Sequence, residues 1–282
     1  MVVRIPAASR KAPSILYNME VKKMDTIIQA AGGLELGLQI ALAIVGLLIS
    51  VMGFVSLMVS VWLAAKYAKF NRKENSIGLT GEETARRVLD ANGLQHIKVK
   101  VTGSILFGNS YSHYFKKVRL RRLTRHKTSV TALGMGAQKA CLAILDKEGD
   151  PDMRKQVLLY PIITFGPFAF IPLITAGVLL DYLMFGQQGT CVYILGGLGL
   201  LFYIYSIVLS VLTLKTEKKA QELAYSILQR NRMANEEELA DLKELFRLYN
   251  IQYINDIILA SLELIYTLLQ IALAFTNGDT KD

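Results

Sequence analysis

Residues 36–65, LGLQIALAIVGLLISVMGFVSLMVSVWLAA, form a run of thirty without a charged side chain. About 20 apolar residues cross the hydrocarbon core of a bilayer, so this run is long enough to span it with tilt. Three further apolar runs follow at 157–186, whose one charge is Asp181, at 190–214 and at 257–275. Over the 282 residues, 52% are apolar and only 20% charged, a balance that sets the chain among membrane proteins. The expectation is a mainly α protein built on a four-helix transmembrane bundle. Its segments would be a leader at 1–34, spans at 35–65, 157–186, 190–214 and 251–276, large loops at 66–156 and 215–250, and a tail at 277–282.

The first run starts after thirty-five residues and is far longer than a signal-peptide core of about 7–15 residues, so it reads as a retained anchor. Arg4, Arg10, Lys11, Lys22 and Lys23 against Glu20 alone give the leader a basic balance that would also suit an organellar presequence.

Charge predicts the orientation. Residues 66–156 hold nineteen Lys/Arg and eight Asp/Glu, a net of +11 against +9 for the whole chain. Cations flank the runs at Lys66, Lys69, Arg72, Lys73, Arg154, Lys155, Lys215, Lys218 and Lys219, which puts both large loops on the cytosolic or matrix side. Four spans would then leave both termini on the opposite side of a bacterial plasma membrane or an organelle's inner membrane. Trp62 and Tyr67 sit where amphipathic aromatics favour the interface.

Within the first loop, Lys116, Lys117, Arg119, Arg121 and Arg122 form a dense cluster that continues to Arg125 and Lys127 and follows Tyr111, Tyr114 and Phe115. That pattern is compatible with a nucleic-acid footprint. Proximity to anionic headgroups, at about 1 kcal/mol per cation, explains the same residues more simply, so membrane lipids are the expected partner and nucleic acid is not.

Local signals give this loop a small α+β organisation. Thr80-Gly-Glu-Glu83 reads as a capping box opening a helix to about Ala91, which Gly93 ends. The alternation in residues 96–101 predicts a strand, residues 117–121 predict a second, and the two are expected to form a hairpin. His126 reads as a solvated loop residue. The stretch 128–145, TSVTALGMGAQKACLAIL, predicts a helix whose Ala132, Gly134, Gly136, Ala137 and Ala140 let a neighbour approach closely. The helix carrying Glu217 is the expected neighbour. Later, residues 217–229 read as a helix, and Asn235-Glu-Glu-Glu238 as a second capping box leading into the last span.

Residues 76–94, SIGLTGEETARRVLDANGL, closely resemble the opening of the soluble loop in the bacterial membrane-bound neutral zinc metallopeptidases of the YugP type. Ser112-His113-Tyr114 and Val118-Arg119-Leu120 are similar to that family's D-H-Y-D and V-R-L segments, with about three residues of the intervening turn missing. Residues 160–166, YPIITFG, resemble its P-V-V-N-F-G segment. The resemblance covers residues 36–274 and implies a minigluzincin-like soluble domain on the cytosolic or matrix side.

It also implies where catalysis would lie. In HExxH two histidines one helical turn apart hold Zn²⁺ and the glutamate activates the bound water. The family's segment aligns without a gap on residues 129–144. Gln138 then stands at the first histidine, Lys139 at the glutamate, Cys141 at the glycine and Leu142 at the second histidine. A register one residue earlier would use Ala137, Gln138 and Cys141 instead. Neither supplies a zinc pair, and an ammonium at Lys139 repels a dication. Glu217 in Glu217-Lys-Lys-Ala220-Gln221 matches the family's E-x-x-A-S, so it is the remnant candidate ligand.

With histidines only at 96, 113 and 126, a rebuilt centre would draw on His113, Cys141 and Glu217. Cys141 and Cys191 indicate no disulfide. Asp256, Glu263 and Gln270 recur at intervals of seven along the last span, a polar face suited to a helix partner, with a proton or ion path as the other use. Two functions are therefore expected. One is a pseudopeptidase scaffold without a cofactor, binding a membrane-protein partner or a second copy of itself. The other is a membrane zinc metallopeptidase with a non-standard metal site.

Overall fold

The computed structural model describes residues 12–102, 108–163, 166–184 and 189–278. They divide into two units, one of residues 52–261 and one of residues 1–51 with 262–282. In chain order the elements are α1 (Ala12–Phe70), α2 (Gly81–Ala91), β1 (Lys98–Val101), β2 (Ser110–Ser112), β3 (Lys117–Leu120), α3 (Arg122–His126), α4 (Val130–Glu148), α5 (Pro151–Ile163), α6 (Gly166–Met184), α7 (Thr190–Arg230) and α8 (Glu236–Gly278).

In the larger unit, α4 is the axis. Every residue from 130 to 145 is buried, as expected of a helix covered on all sides rather than along one stripe. Its start is tied to the end of α1. Ser129 Oγ accepts from the Ala132 amide at 3.1 Å and donates to Asn71 Oδ1 at 3.0 Å, while Asn75 Nδ2 donates to the carbonyls of Leu79 and Thr128. The core around α4 includes Phe70, Val88, Leu89, Ile97, Leu120, Leu133, Leu228 and Leu242.

Both capping boxes form. Thr80 and Glu83 exchange side-chain and backbone bonds at the start of α2. Asn235 Oδ1 accepts from the Glu238 amide and Glu238 Oε2 from the Asn235 amide, each at 2.9 Å. Gly93, at φ +67°, takes the left-handed turn that ends α2. The predicted helix at 217–229 is the distal part of α7, continuous with its apolar part, and α8 runs unbroken from its cap into the last apolar run.

The sheet differs from the expected hairpin. Its order is β1-β3-β2, with β1 parallel to β3 and β2 antiparallel to it. The hairpin partner of β3 is therefore β2, three polar or half-buried residues without the apolar alternation that marks a strand. His126 closes the short helix α3 and is exposed, rather than lying in a loop. The helix carrying Glu217, α7, packs on α4 as expected, and α2 and α8 make the closest approaches at its glycines. A Cβ on Gly136 would strike the Gly81 carbonyl of α2, and one on Gly134 would strike the Leu242 side chain of α8.

Among the described residues three helices are long and apolar enough to cross a membrane: Gly32–Phe70, Thr190–Arg230 and Glu236–Thr276. Over the remaining expected span, 157–186, the described helices are the end of α5 and α6, the latter with an apolar stretch, Ile171–Leu183, that is shorter. The first eleven residues of the leader, residues 185–188 and the last four residues of the tail lie outside the described residues. In the smaller unit, Gly46 of α1 faces the Tyr266 ring of α8.

Candidate active site

The cleft where the resemblance places catalysis is a cavity of about 350 Å³ in the larger unit. Met135, Gln138 and Lys139 of α4 form its floor. Glu217 and Gln221 of α7 and Tyr249, Asn250 and Tyr253 of α8 form two walls, and Tyr67 of α1 with Asn109 and Arg121 completes it. Asn109 Oδ1 accepts from the Arg121 amide at 2.7 Å, so the segments on either side of the β2-β3 hairpin are fixed together.

Its central feature is an ion pair. Lys139 Nζ donates to Glu217 Oε1 at 2.6 Å and to Oε2 at 2.8 Å, and Gln138 Nε2 donates to Oε2 at 2.7 Å. Gln138 is 4% exposed and Lys139 8%, so these donors are held by the protein rather than by solvent. Lys139, expected at the family's glutamate, and Gln138, expected at its first histidine, are both turned onto Glu217, the expected third ligand.

The donor set does not fit zinc. Glu217 already accepts three charge-assisted or amide hydrogen bonds, and its charge is offset by the ammonium. A dication about 4 Å from that ammonium would be repelled by roughly 8 kcal/mol at an effective dielectric of about 20. Leu142, one turn along, is 6% exposed and packs in the hydrophobic core. Cys141 lies in the same core, and burial pushes its thiol well above the ordinary range, away from the thiolate that binds metal. Among the described residues no three His, Cys, Asp or Glu side chains are grouped as metal ligands.

His113 is not brought to Glu217. Its Nδ1 lies 2.7 Å from Asp146 Oδ2, which also accepts from the Tyr111 hydroxyl at 2.6 Å and from Lys116 Nζ at 3.2 Å. Burial of Asp146 opposes its charged form, but the bonds from Tyr111, His113 and Lys116 outweigh it and hold the carboxyl below the usual range.

The basic cluster is divided in the same way. Lys116 serves Asp146. Lys117 and Arg119 lie over the exposed Phe115 ring at 4.4 and 5.6 Å, Arg121 lines the cavity, and Arg122 is exposed. Of the polar stripe, Asp256 accepts from Gln252 Nε2 at 2.8 Å, and Gln252 in turn bonds Ser56 and Ser60 of α1. Asp256 is thus part of a helix-helix contact in the larger unit. Glu263 and Gln270 belong to the smaller unit, where Gln270 is exposed.

Asn109, Tyr249, Asn250 and Tyr253 of the cavity carry no mark in the sequence, while Tyr67 has a local signal as an interfacial aromatic.

The family described as "Putative neutral zinc metallopeptidase" matches residues 45–272. A relative named "Putative membrane protease YugP", from Bacillus subtilis (strain 168), is 25% identical over 215 residues, which are 76% of this chain and 88% of that protein. No solved structure matches. Together with three helices of spanning length, these similarities support a membrane protein. By the extent of that match, the chain belongs to the neutral zinc metallopeptidase family.

Proposed function

We propose that this chain is a membrane-embedded pseudopeptidase, which keeps the metallopeptidase scaffold and uses it to bind a membrane-protein partner without zinc-dependent cleavage. The observation that carries the proposal is the Lys139–Glu217 pair: a fixed monocation, held by both carboxylate oxygens, stands where the family needs a metal and its base. Charge balance is then met within the chain. Loss of the base and of both helix ligands removes groups whose absence ordinarily costs several orders of magnitude in rate.

The cavity remains suited to binding. Three tyrosines offer large, rigid contact area. We place both large loops on the cytosolic or matrix side, from the excess of Lys and Arg beside the spans.

The alternative is a membrane zinc metallopeptidase with a non-standard site, the activity that the name of the relative suggests for that protein. A peptidase assay on the purified protein in mild detergent separates the two. We expect no cleavage that a chelator inhibits and zinc restores. Chelator-sensitive cleavage that survives Lys139→Met would remove the scaffold reading.

A further inference from the structure

A second cavity of about 590 Å³ lies between α7 and α8, behind the cavity described above. Gln221 and Asn250 line both. Asn250 Nδ2 donates to Gln221 Oε1 at 2.7 Å and Gln221 Nε2 to Asn250 Oδ1 at 3.2 Å, so a reciprocal amide pair forms the partition. These amides satisfy one another, which leaves recognition in the groove to its charged and apolar groups.

The charged groups are Lys218, Lys243 and Arg247 against Glu222. Several cations elsewhere in this unit are paired within the chain: Lys66 with Glu244, Lys73 with Glu237 and Asp241, Lys139 with Glu217, Lys219 with Asp150 and Asp152. Among the described residues none of the three groove cations has a carboxylate partner within ion-pair distance. With three cations outside ion pairs against the one carboxylate of Glu222, the groove carries a net positive charge and is complementary to an anion.

The apolar groups define what kind. Both walls are helices of spanning length, and the cations sit where those helices leave their apolar runs: Lys218 lies one turn beyond Leu214, and Arg247 one turn before Ile251. Toward the apolar side the lining becomes Ile251 and Ile254, with Phe246 beneath. Polar charge at one end and aliphatic side chains at the other, across the end of two spanning helices, match a phosphate head with an acyl chain below it.

We infer that the α7-α8 groove binds one anionic glycerophospholipid, its phosphate against Lys218, Lys243 and Arg247 and an acyl chain along Ile251 and Ile254. This site is independent of what fills the neighbouring cavity.

The test uses the full chain purified in mild detergent and incorporated into nanodiscs of phosphatidylcholine with or without phosphatidylglycerol. Bound lipid is counted by native mass spectrometry, and thermal unfolding is followed in parallel. Lys243→Gln with Arg247→Gln is compared with Lys98→Gln and Lys100→Gln, which removes the same charge from the exposed side of β1. We expect the wild type to retain phosphatidylglycerol and to unfold at higher temperature in its presence. The groove variant should lose about thirtyfold in retention, and the β1 variant should match the wild type. Equal retention by the two variants would overturn the site, because attraction would then follow overall charge. Stabilisation by inorganic phosphate alone, equal to that by phosphatidylglycerol, would overturn the acyl-chain component and with it the lipid assignment.

Discussion

Replacing Lys139 by Met leaves Glu217 with one donor, Gln138, in a site whose two charged side chains are only 10% and 20% exposed. Removing one partner from a buried pair costs about 3–5 kcal/mol, because the other charge stays behind without compensation. Here Glu217 faces a cavity that admits water, which lowers the expected cost to about 2 kcal/mol. Glu217→Gln is expected to cost a similar amount, leaving an ammonium against a neutral amide. The double variant removes both charges, and a buried pair exchanged for neutral groups is often near neutral, so its cost should be about 1 kcal/mol. The coupling between the two positions is then about 3 kcal/mol, where distant independent sites would add within about 0.5 kcal/mol. At roughly 2–4 °C per kcal/mol, each single variant should unfold about 4–8 °C below the wild type and the double about 2–4 °C below. The assay is thermal unfolding in one detergent at one scan rate, since unfolding of such a protein is commonly irreversible. Additive effects, with the double variant the least stable of the set, would refute the pairing as the element that holds the cleft.

Other outcomes follow from the same structure. Gly136→Ala gains about 1 kcal/mol in helix propensity, but its Cβ meets the Gly81 backbone, which cannot turn aside; the overpacking cost of about 1–3 kcal/mol should win, read as a lowered unfolding temperature. Asn235→Ala removes an acceptor from the Glu238 amide and should cost about 1 kcal/mol by the same measurement. Asp146 has a folded carboxyl value below its unfolded one of about 3.9, so its contribution is present above that value and lost as pH falls through the folded one. Tyr111→Phe removes a bond to that buried carboxylate, costs about 1.5–3 kcal/mol at neutral pH, and should move the acid-unfolding midpoint to higher pH.

Much of the fold is legible in local sequence because the deciding interactions are local. The boxes at Thr80 and Asn235 each need only four residues, and an apolar run declares its length directly. The parallel pairing of β1 with β3 is not local, and β2 has too few apolar residues to announce itself.

The candidate site shows the same limit. Gln138, Lys139 and Glu217 are each singled out by the expected alignment with the family pattern, the first two in place of its chemistry and the third as a candidate ligand. That Lys139 satisfies Glu217 depends on α4 and α7 meeting across 78 residues, which no spacing rule encodes. Arg121 likewise reads as one of a run of surface cations, and only the turn of the chain after β3 brings it to the cavity.

Zinc content decides between scaffold and peptidase, measured by elemental analysis of the purified wild type and of the Gln138→His, Lys139→Glu, Leu142→His variant after identical exposure to zinc and identical washing. A scaffold holds no stoichiometric zinc in the wild type and about one ion per chain in the variant, where two imidazoles join Glu217. Stoichiometric zinc held by the wild type, and lost on Glu217→Gln, would overturn the scaffold reading.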